Sequence, residues 1–405
     1  MFTKPKSDQN STELADVFLR YGQTYIEQHG ISAIQNKAIQ AISRCRTAAL
    51  GGHIDCCDQC GTMEISYNSC RYRHCPKCQT TKQLRWLEAR QDELLPVGYF
   101  HVVFTIPHEL NGIASYNAAI IYNILFKAAW SVINTLGHDQ KRLGGQLGML
   151  ALLHTWGQNL SQHIHLHCLI PGGALCELNG QKQWVAARKN YLFPGKVMSK
   201  LFGKAFLKLL RQAYAENKLK LQGSTASLVE PEQFDKLLVL LTGKSWNVYA
   251  KPPFNGAEGG LEYLANYVSK TAISNERILS CDDNQVTFKW RDYADNNESK
   301  IMKLDASEFI RRYLTHILPN GFMRIRSYGF LANAYKDKSI SIILELLQAH
   351  KNNDLQSTSN KESIAELMLR VTGLDIDCCK HCGTGRLITI LEIPMIKLAK
   401  YRDTS

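Results

Sequence analysis

Apolar residues mark out the elements along the chain. Leu14, Val17, Phe18 and Tyr21, then Ile34, Ile39 and Ile42, recur at the spacing of two amphipathic helices within 11–50. A cysteine-rich knob follows at 51–80, and helical spacing returns at 83–95. The run YFHVVFTI at 99–106 is β-branched and aromatic and stops at Pro107, which predicts a strand, and a long helix follows at about 115–136. Apolar runs at 147–158 and 163–170, separated by the polar segment 159–162 and closed by Pro171-Gly172-Gly173, predict a hairpin. Helices at 196–216, 231–242 and 260–271 and a strand at 246–250 complete an antiparallel sheet with helices on one side. Further on, the pattern predicts a short strand at 286–289, helices at 306–317 and 339–350, and a polar linker at 352–360, with no internal repeat.

The fold class is therefore α+β. Three divisions are expected: a helical and cysteine-rich module over 1–95, a central α+β domain over 96–335, and a helical tail over 336–405. The longest apolar stretch, near 117–136, is interrupted by Asn123 and Lys127, so no membrane span is expected. The opening MFTKPKSDQN lacks the apolar core of a signal peptide, which implies a cytoplasmic protein with reduced thiols.

Charge narrows the class of partner. The net charge is +12 with a pI near 9.0, and its placement is more informative than its size. Ten Lys/Arg stand against the single acid Glu216 between Lys182 and Lys220, and five stand without any acid between Ile65 and Leu87. One-signed blocks of this kind favour phosphate contacts and a DNA partner.

Thirteen cysteines under reducing conditions point to metal ligation or burial. Cys57-x-x-Cys60 and Cys75-x-x-Cys78, fourteen residues apart, have the spacing of two knuckles closing one structural Zn²⁺ site. His53, Cys56, Cys70 and His74 remain nearby as ligands for a second metal. Cys379-x-x-Cys382 is a weaker signal flanked by Cys378 and His381, and Cys45, Cys168, Cys176 and Cys281 read as buried small hydrophobes. Arg71, Arg73 and Lys77, interleaved with Tyr72 and Trp86, suit phosphate contact with base stacking.

His163, His165 and His167 alternate with apolar residues, so a strand would point all three imidazoles to one face, where they suit a divalent metal. Gln158 and His154 lie on the expected partner strand and could complete the shell. Tyr263 and Tyr267, four apart on an expected helix, would project about 6 Å apart on one face. A phenol there can attack a phosphodiester polarised by a metal, although tyrosines at this spacing more often pack a core. Lys196, Lys200, Lys204 and Lys208 recur every four residues opposite an apolar face, without glutamates at the pairing positions, and read as a DNA track.

These residues together resemble the HUH (His-hydrophobic-His) rolling-circle transposases of the insertion-sequence ninety-one type, which carry an N-terminal zinc module. The resemblance rests on Tyr67-Asn68-Ser69-Cys70 leading into Arg73-His74-Cys75-Pro76-Lys77-Cys78-Gln79, on FTIPHEL at 104–110 and on HTWGQ at 154–158. It continues through HLHC at 165–168, the Tyr263-x-x-x-Tyr267 segment and RIRSYGFLAN at 324–333. It implies a Rep-like nuclease domain with His165 and His167 on a central strand and Gln158 as the third ligand of Mg²⁺ or Mn²⁺. It also implies Tyr263 and Tyr267 as nucleophiles, and single-stranded element ends and target DNA as substrates. Cys379 and Cys382 match a knuckle often seen in the family, here without an evident partner pair. A plasmid or phage replication initiator, or a zinc-dependent DNA-binding regulator with structural histidines, are the competing readings.

Overall fold

The computed structural model describes residues 12–79, 83, 85–86, 89–90, 93–251, 267–268, 270–293, 295–348, 364–373 and 375–396. Its contacts divide the chain into two compact units, one of 1–85, 269–317 and 357–405 and the other of 86–268 and 318–356. The expected divisions at 95 and 335 follow the order of the chain. The contacts instead place 269–317 and the tail beyond 357 with the N-terminal part.

The first unit begins with two helices, Leu14–His29 and Ala33–Ser43, where the apolar spacing predicts them. Ser32 caps the second by accepting the Gln35 amide at 3.3 Å, which satisfies one orphan donor of the first turn. β1 (Gly52–Cys57) pairs with β2 (Met63–Tyr67) on one side and with β13 (Leu387–Ile393) on the other, so the two ends of the chain share one sheet. β9 (Ile278–Asp282), β10 (Gln285–Asp292) and β11 (Glu298–Asp305) form an antiparallel meander leading into the helix Ala306–Thr315. Tyr313 of that helix is buried, packs edge-on against Phe18, and donates to the His74 carbonyl at 2.6 Å. These contacts explain why 269–317 belongs with the N-terminal helices.

The second unit is built on a five-stranded antiparallel sheet. It comprises β3 (Tyr99–Thr105), β4 (Gly148–Trp156), β5 (Gln162–Pro171), β8 (Asn247–Lys251) and β12 (Ile325–Gly329), in the order β12-β4-β5-β3-β8. β6 (Gly173–Leu178) and β7 (Gln181–Ala186) form a separate hairpin. Period-two alternation gives the main sheet two different faces. Phe100, Val102 and Phe104 of β3 and Ile164, Leu166, Cys168 and Ile170 of β5 enter the main core. Against this face pack the helices Ala118–His138, Gly195–Ala215 and Pro231–Gly243, which contribute Phe126, Phe202, Phe206 and Phe234. Tyr99, Leu150, Leu152, Leu169 and Val268 form a smaller cluster on the opposite face.

The helix Ala118–His138 is long and apolar enough to cross a membrane by length and composition, but 56% of that window is buried inside the protein, as befits a core helix. The expected helix at 83–95 is described only in part. Most of the one at 260–271, including Tyr263, lies outside the described residues.

Candidate metal centres and active site

Three groups of metal-ligating side chains stand out among the described residues, each with its ligand atoms within 4.8 Å of one another. Two are thiol groups of the first unit and the third is a histidine group of the second.

The single zinc site expected of Cys57, Cys60, Cys75 and Cys78 is divided. Cys75 and Cys78 gather with Cys45 and Cys70, whereas Cys57 and Cys60 meet Cys379 and Cys382. The reason is local geometry: Cys57 closes β1, while Cys75 and Cys78 flank and end a short turn, Pro76–Cys78, against the end of the second helix. In the first group the Cys45 and Cys78 sulfurs lie 3.4 Å apart, and those of Cys70 and Cys78 lie 3.6 Å apart. Tetrahedral Zn–S bonds of about 2.3 Å would set sulfurs about 3.8 Å apart, so the donor set fits a structural zinc ion. Cys45, expected to be a buried hydrophobe, is a member of this group. His53, Cys56 and His74, the spare ligands of the sequence, fall outside both thiol groups.

The histidine group comes from facing strands. His154 of β4 stands in register opposite His165 of β5, and antiparallel pairing brings opposite side chains to about 5 Å. His154, His165 and His167 are all buried and form the third group. His163 is exposed near the strand end and lies outside that group. Gln158 is not on the strand; it sits in the turn beyond Trp156.

Hydrogen bonds orient the rings. His165 donates through Nδ1 to the His163 carbonyl at 2.8 Å, which turns its Nε2 toward the Nε2 of His167 at 3.1 Å. Two donors bound to one cation at about 2.1 Å can lie at most about 4.2 Å apart, so this spacing fits a shared metal. The Nδ1 of His167 meets the Nε2 of His101 at 2.9 Å, and with His101 accepting, the Nε2 of His167 is left as the ligand atom. His154 donates through Nε2 to the Tyr267 carbonyl at 2.9 Å, which leaves its Nδ1 to serve as ligand. Burial, reinforced by His163, pushes the His165 imidazole down to about 3, and burial with Lys251 pushes His101 down to about 4. Both rings are neutral at pH 7, as ligation by His165 and acceptance by His101 require.

Tyr267 closes the group, its ring centroid 4.1 Å from that of His167. The Arg324 guanidinium binds the carbonyl of Val268 and so ties this segment to the sheet. His101 is the residue that sequence reasoning missed. Its place on β3 beside Tyr99, opposite the apolar Phe100, Val102 and Phe104, was the available signal. If His154 completes the ligand set, His154→Ala should weaken Mn²⁺ binding at least about tenfold, and Gln158→Ala should weaken it less. A calorimetric Mn²⁺ titration of both variants checks this, and a larger loss at Gln158 would reverse the ligand order.

The basic residues are dispersed. Lys196, Lys200, Lys204 and Lys208 form an exposed stripe on Gly195–Ala215, but this helix packs on the sheet face opposite the histidines, with Phe202 edge-on to Phe104 at 5.0 Å. In the zinc module Arg71 is exposed, Arg73 is half-buried, and Lys77 pairs with Glu13.

The chain is similar to known proteins. Residues 148–339 match a family model described as "Putative transposase", and residues 17–106 match one described as "Transposase zinc-binding domain". The chain is 42% identical over 383 residues to the "Putative transposase y4qJ" of Sinorhizobium fredii, covering 94% of this chain and 96% of that one. It is 25% identical over 330 residues to the transposase for insertion sequence element IS801 of Pseudomonas savastanoi pv. phaseolicola, covering 80% of this chain and 76% of that one. No solved structure matches it. With a thiol-rich zinc-binding module and a transposase domain matched in order along it, and a relative aligned over nearly its whole length, the chain belongs to the IS91-type transposases.

Proposed function

We propose that the second unit is a Rep-like HUH nuclease, and that the protein nicks and rejoins single-stranded DNA through a covalent phosphotyrosine. The observation that carries this reading is the convergence of His154, His165 and His167 on two adjacent inner strands of an antiparallel sheet, with the Tyr267 ring tilted against that of His167. When bound by these three imidazoles, Mg²⁺ or Mn²⁺ would supply Lewis-acid polarisation of a phosphate oxygen.

The chain's own groups account for the remaining chemistry. The phenol oxygen of Tyr267 or Tyr263 forms a bond to the scissile phosphorus as the P–O3′ bond breaks. The phenol gives up its proton, the departing 3′ oxygen takes one up, and the 5′ phosphate stays on the tyrosine. One phosphodiester replaces another, so the bond energy is retained for rejoining to a target end. The second tyrosine would serve the second cleavage or the transfer. His101 holds the His167 ring in its ligating orientation, and His154 ties the Tyr267 backbone to the sheet. Arg71, Arg73 and Lys77 of the zinc module would contact the phosphates of the element end, and the stripe from Lys196 to Lys208 would hold DNA away from the histidine face.

The test is incubation of the protein with single-stranded DNA carrying the element's end. Cleavage that requires Mg²⁺ or Mn²⁺ and leaves protein attached to the 5′ phosphate of the downstream fragment is expected. Cognate binding with no cleavage under either metal would favour a DNA-binding regulator.

A further inference from the structure

The second thiol group joins residues from opposite ends of the chain, and two of its members lie far beyond the matched zinc-binding segment, which ends at residue 106. The two pairs sit in matching sequences. Cys56-Cys57-Asp58-Gln59-Cys60-Gly61-Thr62 and Cys378-Cys379-Lys380-His381-Cys382-Gly383-Thr384 share the pattern C-C-x-x-C-G-T, a short repeat separated by most of the chain that corrects the reading of the sequence as free of repeats.

The repeat is also structural. Gly61 and Gly383 both adopt the left-handed region, at φ 71 and φ 73, and each donates its amide to the carbonyl of the paired cysteine, Cys57 at 3.0 Å and Cys379 at 2.9 Å. Such a turn folds the second cysteine back beside the first. The Cys60 amide donates to the Cys57 sulfur at 3.5 Å, and the Gly385 amide to the Cys382 sulfur at 3.3 Å, so each knuckle supplies an N–H to a sulfur. Between the knuckles, Cys57 and Cys382 are 3.7 Å apart at sulfur, and Cys60 and Cys379 are 3.8 Å apart. These separations are those of sulfurs sharing a tetrahedral ion and nearly twice a disulfide bond of about 2.05 Å.

We propose that Cys57, Cys60, Cys379 and Cys382 bind a second zinc ion that staples the C-terminal strand onto the N-terminal hairpin. The surrounding backbone is already shaped for it. Asp58 and Arg386 exchange contacts, the Asp58 amide donating to the Arg386 carbonyl at 3.0 Å and the Arg386 amide to the Asp58 carboxylate at 2.8 Å. A Cβ at Gly385 would collide with the Cys57 sulfur, so the knuckles approach as closely as the backbone permits. β13 needs such a tie: Ile388, Ile390 and Leu391 are exposed, so its pairing with β1 buries little apolar surface. Ligation across 319 residues of sequence closes a loop that this pairing alone holds weakly.

Metal analysis and thiol alkylation of the full-length protein test the staple. In zinc-replete protein, Cys60, exposed in the fold, and Cys382 should resist iodoacetamide until a chelator is added, together with Cys57 and Cys379. Thiolate ligation hides the nucleophile even where solvent reaches it. Native mass spectrometry should show one zinc fewer in C379S/C382S than in wild type. The zinc on Cys45, Cys70, Cys75 and Cys78 should stay, and amide exchange should rise in 52–57 and 387–393. K380A/H381A should keep the wild-type count. Rapid alkylation of Cys60 and Cys382 in the zinc-replete wild type, disulfides among the four thiols, or an unchanged zinc count in C379S/C382S would overturn the proposal. The alkylation result stands even if the double variant fails to fold.

Discussion

His165→Ala or His167→Ala is expected to reduce strand cleavage by at least about a hundredfold while DNA affinity stays within about twofold of wild type. Loss of an outer partner of a metal ligand typically costs ten- to a hundredfold, and loss of the ligand itself costs more. Under the proposed function binding and chemistry use separate groups: affinity would come from lysines and arginines, of which the stripe from Lys196 to Lys208 lies across the sheet from the histidines. Parallel nicking and gel-shift assays at one salt concentration check the separation. A folded variant that loses cleavage and binding equally would give the histidines a purely structural role.

Cys75→Ser or Cys78→Ser is expected to release one zinc and unfold the N-terminal part of the first unit. Structural zinc in small modules contributes on the order of 10 kcal/mol, as much as the whole stability of a typical domain. Cys75 is fully buried and Cys78 nearly so, which leaves a serine hydroxyl there without access to solvent. Helices Leu14–His29 and Ala33–Ser43 should lose exchange protection, whereas β4 and β5, in the other unit, should keep theirs. Zinc analysis with hydrogen exchange reads both, and protein prepared without chelator that holds no zinc would contradict the account.

Much of the second unit was legible because its strands obey a simple rule. β5 alternates apolar and polar residues from His163 to Cys168, so sequence alone put Ile164, Leu166 and Cys168 in the core and the histidines on the other face. Other strands were not legible: β11, Glu298–Asp305, carries charged residues on half its positions, and β6 and β7 lack a buried stripe. The zinc ligands failed for a different reason. Spacing finds each Cys-x-x-Cys pair, but which pairs meet is decided by nonlocal packing, here the pairing of β13 with β1 and the approach of Cys45 to the Cys75 turn. The place of His154 was likewise a question of register, since the pairing of β4 with β5 sets it opposite His165. The unit boundaries were hidden because 269–317 returns to the N-terminal helices through Asn275, Cys281 and Tyr313.

The most direct test of the proposed chemistry is covalent capture. Single-stranded DNA carrying the element's end, labelled at its 3′ end so that the label stays on the fragment bearing the 5′ phosphate, is incubated with Mn²⁺ and either wild type or Y263F/Y267F, and the products are resolved under denaturing conditions. Each substitution removes only a hydroxyl, and phenylalanine replaces a packed tyrosine with little loss, so the double variant should fold like wild type. Wild type should yield a protein-DNA adduct whose linked peptide maps to Tyr263 or Tyr267, and the double variant should yield none. An adduct of undiminished yield in the double variant would place the nucleophile elsewhere, at a residue such as Tyr249 or Tyr293, and contradict the assignment.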